Sequence, residues 1–226
     1  MGHGLPLTAG RWSEPGVVAG FVQSPPNLRL IAYARAAGVG HGSRVVDIGC
    51  GAGRNAVPLA ETGAHVAGVD GSLPMLHAFA GRRDLAGLRV GLALAAMDAL
   101  PVRGDSADLV VAHGIWNLAR SGAEFRRAVH EGARVLRAGG GLFVFTFSRN
   151  TLPPDTAPVA GESFVFTQFS GQPQCFLTRE QLIEELAATG LTVDPGEPLL
   201  EHNRRDDRRL PTPLGPVIYE GLFQKV

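Results

Sequence analysis

The chain predicts an α/β fold in which helices cover both faces of a doubly wound, mostly parallel sheet. Two observations carry that expectation. Short β-branched apolar runs alternate with helical patterns along much of the sequence, the mark of successive βαβ units with right-handed crossovers. The first such run, Val45-Val46-Asp47-Ile48, feeds a glycine-rich turn, Gly49-Cys50-Gly51-Ala52-Gly53, and then a helical pattern from Arg54; the next run ends on a carboxylate, Asp70. Glycines in such a turn let the backbone approach a ligand at a helix N-terminus, and an acid at the tip of the second parallel strand can hold two ribose hydroxyls.

Residues 1–26 are rich in Gly and Pro and carry Trp12 and Phe21; Asn27 then caps a helix running through Ala37. There follow strand 43–48, helix 54–62, strand 65–70, helix 72–82 opened by Ser72, strand 88–94, strand 107–112, helix 122–137 and strand 141–147. Residues 149–176 hold four prolines together with Phe164, Phe166, Phe169 and Phe176, too long a stretch for a simple connection. Thr178 opens a helix with Gln181 at capping-box spacing, ending at Gly190, and the apolar runs 191–193 and 216–224 follow. No internal repeat or second domain is visible, so residues 1–226 read as one domain.

The glycine spacing separates two ligand types. A dinucleotide fingerprint is G-x-G-x-x-G, its third glycine inside the helix. Here the spacing is Gly49-x-Gly51-x-Gly53, and Arg54 stands where that third glycine is needed. Asp47 precedes the turn, where a carboxylate repels a pyrophosphate and attracts a cationic ligand. In these residues the chain resembles the class I S-adenosylmethionine-dependent methyltransferases, whose first motif has the form D-x-G-x-G-x-G and whose cofactor bears an ammonium and a sulfonium and no phosphate. The resemblance continues in Met97-Asp98-Ala99-Leu100-Pro101, in the strand Asp108-Leu109-Val110-Val111-Ala112-His113, and in Leu136-Arg137-Ala138-Gly139-Gly140-Gly141 leading into Leu142–Phe147. It covers residues 43 to 148 closely and the C-terminal part more loosely.

That resemblance implies a Rossmann-like sheet of seven strands with the last strand antiparallel, and S-adenosylmethionine as cofactor with S-adenosylhomocysteine as product. It implies direct in-line methyl transfer without a metal. Cofactor contacts are expected from Asp47, Gly49, Cys50, Gly51, Gly53, Asn55, Asp70, Gly71, Ser72, Met97, Asp98, Ala99 and His113, with Asp70 on the ribose and Asp98 on the adenine amino group. Residues 1–38 are expected to cap the cofactor and the 149–176 insertion to cover the acceptor pocket. Trp116, Asn117, Phe166, Arg204 and Arg205 are the candidate acceptor contacts.

Composition narrows the function classes. Lys plus Arg and Asp plus Glu number 21 each, so the chain lacks the global basic field on which nonspecific nucleic-acid binding depends. The acceptor motif N/D-P-P-Y/F of exocyclic-amine nucleic-acid methyltransferases is absent; the chain reads Ala112-His113-Gly114-Ile115-Trp116 there, which favours a small molecule. No apolar run reaches the length of a membrane span, and no secretory leader pattern stands at the N-terminus. The expectation is a cytoplasmic enzyme, monomeric or homodimeric, without nucleic-acid or membrane partners. Cys50 and Cys175 are too few for a disulfide framework, and no zinc spacing occurs.

Each candidate also has a plainer reading. Asp70 can cap the following helix; Asp98 precedes a Leu-Pro turn and can accept local backbone hydrogen bonds; Arg54 and Asn55 can face solvent. Cys50 can be a small buried residue and Trp116 an ordinary core aromatic. His113 ends a central strand, where open parallel sheets place their chemistry. It is either a general base, with turnover rising through the ordinary imidazole range near 6.5, or a wall of the cofactor site. The run His202–Arg209 is a solvated hairpin tip or, through Arg204 or Arg205, a clamp for an acidic acceptor. Two other classes stay in view. A nicotinamide-dependent oxidoreductase is disfavoured by Arg54 and Asp47, and a non-catalytic S-adenosylmethionine-binding module by the long insertion.

Overall fold

A computed structural model describes residues 11–204 and 215–226. Helices α1 (Pro15–Gln23) and α2 (Leu28–Ala36) precede strand β1 (Arg44–Ile48), helix α3 (Ala56–Glu61), strand β2 (His65–Asp70), helix α4 (Leu73–Ala80) and strands β3 (Val90–Leu94) and β4 (Ala107–His113). Helix α5 (Gly122–Val135) runs straight into β5 (Leu136–Phe147). Then come the two-residue strands β6 (Val165–Phe166) and β7 (Gln174–Cys175), helix α6 (Arg179–Ala187), and strands β8 (Leu191–Val193), β9 (Leu200–His202) and β10 (Ile218–Lys225). Helix starts are set by side chains that satisfy otherwise orphaned N–H groups. Asn27 accepts from Leu30 N, Ser72 from Met75 N and Ser121 from Glu124 N, while Thr178 and Gln181 close a full capping box.

Eight strands form one sheet in the order β3-β2-β1-β4-β5-β10-β8, with β9 also paired to β10. Strands β1 to β5 pair in parallel, and β10 is antiparallel to each of its neighbours. The short β9 and β8 share one edge of β10, against Ile218–Glu220 and Phe223–Lys225 respectively. The expected seven-stranded sheet with its antiparallel last strand is therefore present, with one short strand more.

Alternation along the strands divides the core between the two faces. Val45, Leu109, Val111 and Phe143 pack with α2, α3 and α4; Val46, Ile48, Val110, Ala112, Leu142 and Val144 pack with α5 and α6. Each fully buried side chain such as Phe79, Phe125 or Phe143 contributes roughly 1.5–3 kcal/mol. Because β1 lies between β2 and β4, the strand order reverses there, and open α/β sheets place their ligands outside the carboxyl ends of the strands at such a point.

Three elements differ from the sequence expectation. Pro15–Gln23 is helical although glycines blur its periodicity; Pro15 is tolerated in the first turn, where no N–H is needed. Strand β5 begins at Leu136, but its pairing with β4 shifts register between Ala107 and Leu109, and regular pairing starts at Gly141, the expected first residue. The 149–176 insertion turns its aromatics inward. Phe164 joins the main core against Phe125, and Phe166 and Phe176 form a small cluster with Leu152. No helix of the described residues is long and apolar enough to cross a membrane, and no cluster of metal-ligating side chains occurs among them.

Candidate active site

The turn after β1 passes through Gly49, Gly51 and Gly53 at φ of 70°, 52° and 81°, the left-handed region that favours glycine. Their roles differ. A Cβ on Gly49 would lie 2.7 Å from Ile115, and one on Gly53 would run into the Phe79 ring. Only Gly51 faces usable space, its virtual Cβ 3.5 Å from the Phe21 ring of α1. Gly49 and Gly53 thus also make room for neighbouring side chains.

Four of the five amides from Gly49 to Gly53 are occupied. Gly49 N and Cys50 N both donate to Val69 O (2.7 and 3.1 Å), Gly53 N to Cys50 O (2.9 Å), and Gly51 N to Asp70 Oδ2 (2.8 Å). A phosphate cradle needs such N–H groups free and convergent. Here the amides of Gly49, Cys50, Gly51 and Gly53 are closed inward.

Asp70 also accepts from Ser72 N through Oδ1 (2.7 Å). Burial raises its pKa, opposed by backbone bonds from Ser72, Gly51 and Gly71; an ionised carboxylate has about four acceptor positions, so about one remains for a ligand hydroxyl. Ser72 caps α4 and donates to Trp12 O, tying the segment before α1 to the site; Gly71, half-buried, lies between Asp70 and that cap. Asp47 is fully enclosed, and burial pushes its pKa up to about 7, with Arg54 lowering and Asp70 raising it. Cys50 packs beneath the turn with its thiol pKa raised by burial. Asn55 is buried too, and its Oδ1 accepts from Asn27 N (2.9 Å); it joins α2 to the turn rather than facing solvent.

His113 leaves β4 on the same face as Phe145 and Glu220, its neighbours across β5 and β10. Its ring stacks on Phe145 at 4.1 Å. Arg54 Nη2 lies 2.8 Å from Nδ1, and Asn27 Nδ2 lies 3.1 Å from Nε2 and donates to Glu220 Oε1 at 2.6 Å. Burial, and then the Arg54 guanidinium, lower the His113 pKa to about 3. The expected titration near 6.5 is thereby corrected, because the imidazole is neutral throughout the range in which proteins ordinarily work.

The other candidates scatter. Asp98 makes no local cap; its carboxylate pairs with Arg127 of α5 at 3.0 Å, between buried Met97 and exposed Ala99. Trp116 is wholly buried between Phe125 and Gly132, so the substrate-wall reading gives way to the core reading. Asn117 is buried beside it, its Oδ1 unpartnered. Phe166 is enclosed by Leu152 and Phe176 with Arg149 over its ring, and so is not offered to a ligand; Phe145, Phe147 and Phe169 are the partly exposed rings. Arg204 pairs with Glu201 at 3.3 Å, and Arg205 lies outside the described residues. Sequence reasoning missed Asn27 as a site residue, and Glu220. Only Asn27, a cap placed just before an amphipathic helix, left a local signal.

Residues 45–140, from β1 to the glycines of β5, match the family model described as a methyltransferase domain. Over 125 residues the chain is 37% identical to the demethylmenaquinone methyltransferase of Clavibacter sepedonicus, a match covering 54% of this chain and 49% of that protein. Over the matched stretch the chain is similar to S-adenosylmethionine-dependent methyltransferases. The chain is also 28% identical over 202 residues to a ubiquinone biosynthesis O-methyltransferase of Methylobacterium sp. (strain 4-46), covering 83% of this chain and 79% of that one. Its fold superposes with a TM-score of 0.64 and 19% identity on the Burkholderia thailandensis 1,6-didemethyltoxoflavin-N1-methyltransferase, crystallised with its substrate and S-adenosylhomocysteine; 88% of this chain and 78% of that one are covered. The chain spans about half the length of the Clavibacter relative. The residues present fit S-adenosylmethionine: four turn amides are closed inward and the half-buried Asp70 carboxylate faces them, which suits a nucleoside without phosphate.

Proposed function

We propose that this chain transfers a methyl group from S-adenosylmethionine to a small molecule by direct in-line displacement. The observation that supports the reading is the inward closure of four amides of the glycine turn beside Asp70, whose carboxylate stands where a pyrophosphate would have to lie. Bound there, the cofactor supplies a methyl carbon already activated by its sulfonium. The chain's residues have the remaining work. Asp70 orients the ribose, Asp98 reads the adenine edge, and residues 11–38 cover the cofactor, with Phe21 over Gly51 excluding water. Alignment of acceptor and methyl carbon supplies several kcal/mol, up to about ten.

The relatives' quinone-pathway names support a flat, ring-bearing acceptor of the quinol class, for which Phe145, Phe147 and Phe169 offer ring faces, with the 149–176 hairpin beside them. A cytoplasmic setting without nucleic-acid partners completes the reading. Calorimetry against S-adenosylhomocysteine and NADH, followed by mass measurement of quinols incubated with S-adenosylmethionine, tests it. Binding of S-adenosylhomocysteine and a gain of the net mass of one CH2 are expected. NADH binding without S-adenosylhomocysteine binding would overturn it.

A further inference from the structure

Glu220 is a charge in an apolar place. It sits between Ile218 and Leu222 on one face of β10 and is only 5% exposed, a burial that costs free energy unless donors surround the carboxylate. Three do. Asn27 Nδ2 donates to Oε1 at 2.6 Å, while His202 Nε2 and Arg29 Nη1 stand 3.0 and 3.5 Å from Oε2.

A carboxylate among such donors only accepts, so the neutral His202 ring carries its proton on Nε2 and its lone pair on Nδ1. Nδ1 has no hydrogen-bond partner among the described residues, and the His202 side chain is 42% exposed. A buried carboxylate that fixes an imidazole's tautomer and steadies its protonated form, with the second nitrogen open, is the arrangement of a general base.

Register puts this pair beside the ring faces of β5. His202 lies opposite Ile218, which lies opposite Phe147; Glu220 lies opposite Phe145, which lies opposite His113. By alternation these side chains share the face that α2 covers, at the carboxyl ends of β4 and β5, where open parallel sheets bind their ligands. His113 is too weak a base for the task. Its pKa is lowered to about 3 by burial and by Arg54, and donors stand at both of its nitrogens.

Building on the methyl-transfer reading, we propose that His202, held by Glu220, is the general base that takes the proton from an aromatic hydroxyl of the acceptor, whose oxygen receives the methyl group. As an electron pair of that oxygen forms the bond to the methyl carbon, the carbon–sulfur bond breaks and its pair stays on sulfur. The hydroxyl proton passes to Nδ1 of His202. The resulting imidazolium keeps its Nε2–H on Glu220. The charged groups around the pair are Arg29 of α2, which also pairs with Glu197 (3.1 Å), and Arg204, which pairs with Glu201 (3.3 Å); β5 presents Phe145 and Phe147.

The probe is nitrocatechol, whose ionised form is coloured, added to protein saturated with S-adenosylhomocysteine at a pH where the free probe keeps its protons. The parent is expected to bind it as the coloured phenolate. His202→Gln keeps a donor toward Glu220 and loses the base, so it is expected to bind the probe uncoloured. With S-adenosylmethionine instead, His202→Gln lowers kcat for O-methylation of the probe about a hundredfold to ten-thousandfold, leaves KM little changed and removes the acid limb of the pH–rate profile. Imidazole added to His202→Ala restores part of the rate. Nitrogen-15 spectra of the neutral His202 ring are expected to show the proton on Nε2. A proton on Nδ1, a parent that binds no probe or leaves it un-ionised, or a folded His202→Gln protein with the parent's kcat and pH profile overturns the proposal. A parent that binds no S-adenosylhomocysteine overturns the function reading on which it stands.

Discussion

Gly51 and Gly53 stand two positions apart in one turn and answer to different constraints. An alanine at 53 must both adopt φ near 81° and drive into Phe79, whereas at 51 it meets only ordinary contact with Phe21. Gly53→Ala is expected to lower stability by several kcal/mol and Gly51→Ala by about 1 kcal/mol, the ordinary cost of a left-handed non-glycine residue. Urea unfolding of both variants checks this, and equal losses would refute the division of roles. Two neighbouring side chains pull the pH dependence of stability in opposite directions. Asp47, with its pKa raised to about 7, keeps its proton in the folded state, so its contribution falls as pH rises from about 4 to 7. His113, lowered to about 3, refuses a proton that the unfolded chain takes up, so its contribution falls as pH drops from about 6.5 to 3. Between about pH 4 and 6.5 the slopes offset each other. Asp47→Asn should therefore make stability climb with pH in that window and gain most near pH 8, while His113→Gln should make it decline; parallel curves for all three proteins would contradict the assignment. Motif residues such as Asp47 and Asp70 were legible because their neighbours in sequence define the turn. The neutral state of His113 was not, since it follows from burial beside Arg54, 59 residues away.

At the scale of elements, α1 is the least anchored part of the site. None of its residues is buried, and it rests on α4 through the edge-on Trp12–Phe21 contact and the bond from Ser72 to Trp12 O. An element with so little buried surface opens at far lower free energy than the core. Amide exchange in Pro15–Gln23 is expected to be fast in the free protein and to slow at least tenfold with S-adenosylhomocysteine bound. Exchange that ignores the ligand would remove α1 from the cofactor's enclosure. Strong caps made α2, α4 and α6 readable in the sequence at Asn27, Ser72 and Thr178. The glycines in α1 and the three-residue length of β9 left nothing periodic to read, and the insertion's phenylalanines gave no clue that they point into the core.

For the whole molecule, the parallel sheet was legible because five successive strands carry their own apolar runs. The joining of Asn27 to Glu220 was not, for those residues are 193 positions apart and meet only through the antiparallel placement of β10. That placement has a consequence for how the protein is made. Strand β10 lies inside the sheet, covering the edge of β5 from Leu142 to Phe147, yet it is translated some seventy residues later. During that interval a nascent chain presents Phe143, Phe145 and Phe147 on an unpaired edge, a template for pairing with other chains. A fragment ending at Gly215 is expected to pellet on expression and to be rescued in part by a peptide spanning residues 216–226, with light scattering as the measure. A soluble, cooperatively folded fragment would mean that β5 needs no such partner. Synthesis rate and chaperone supply, more than equilibrium stability, would then set how much active protein a cell obtains from each message.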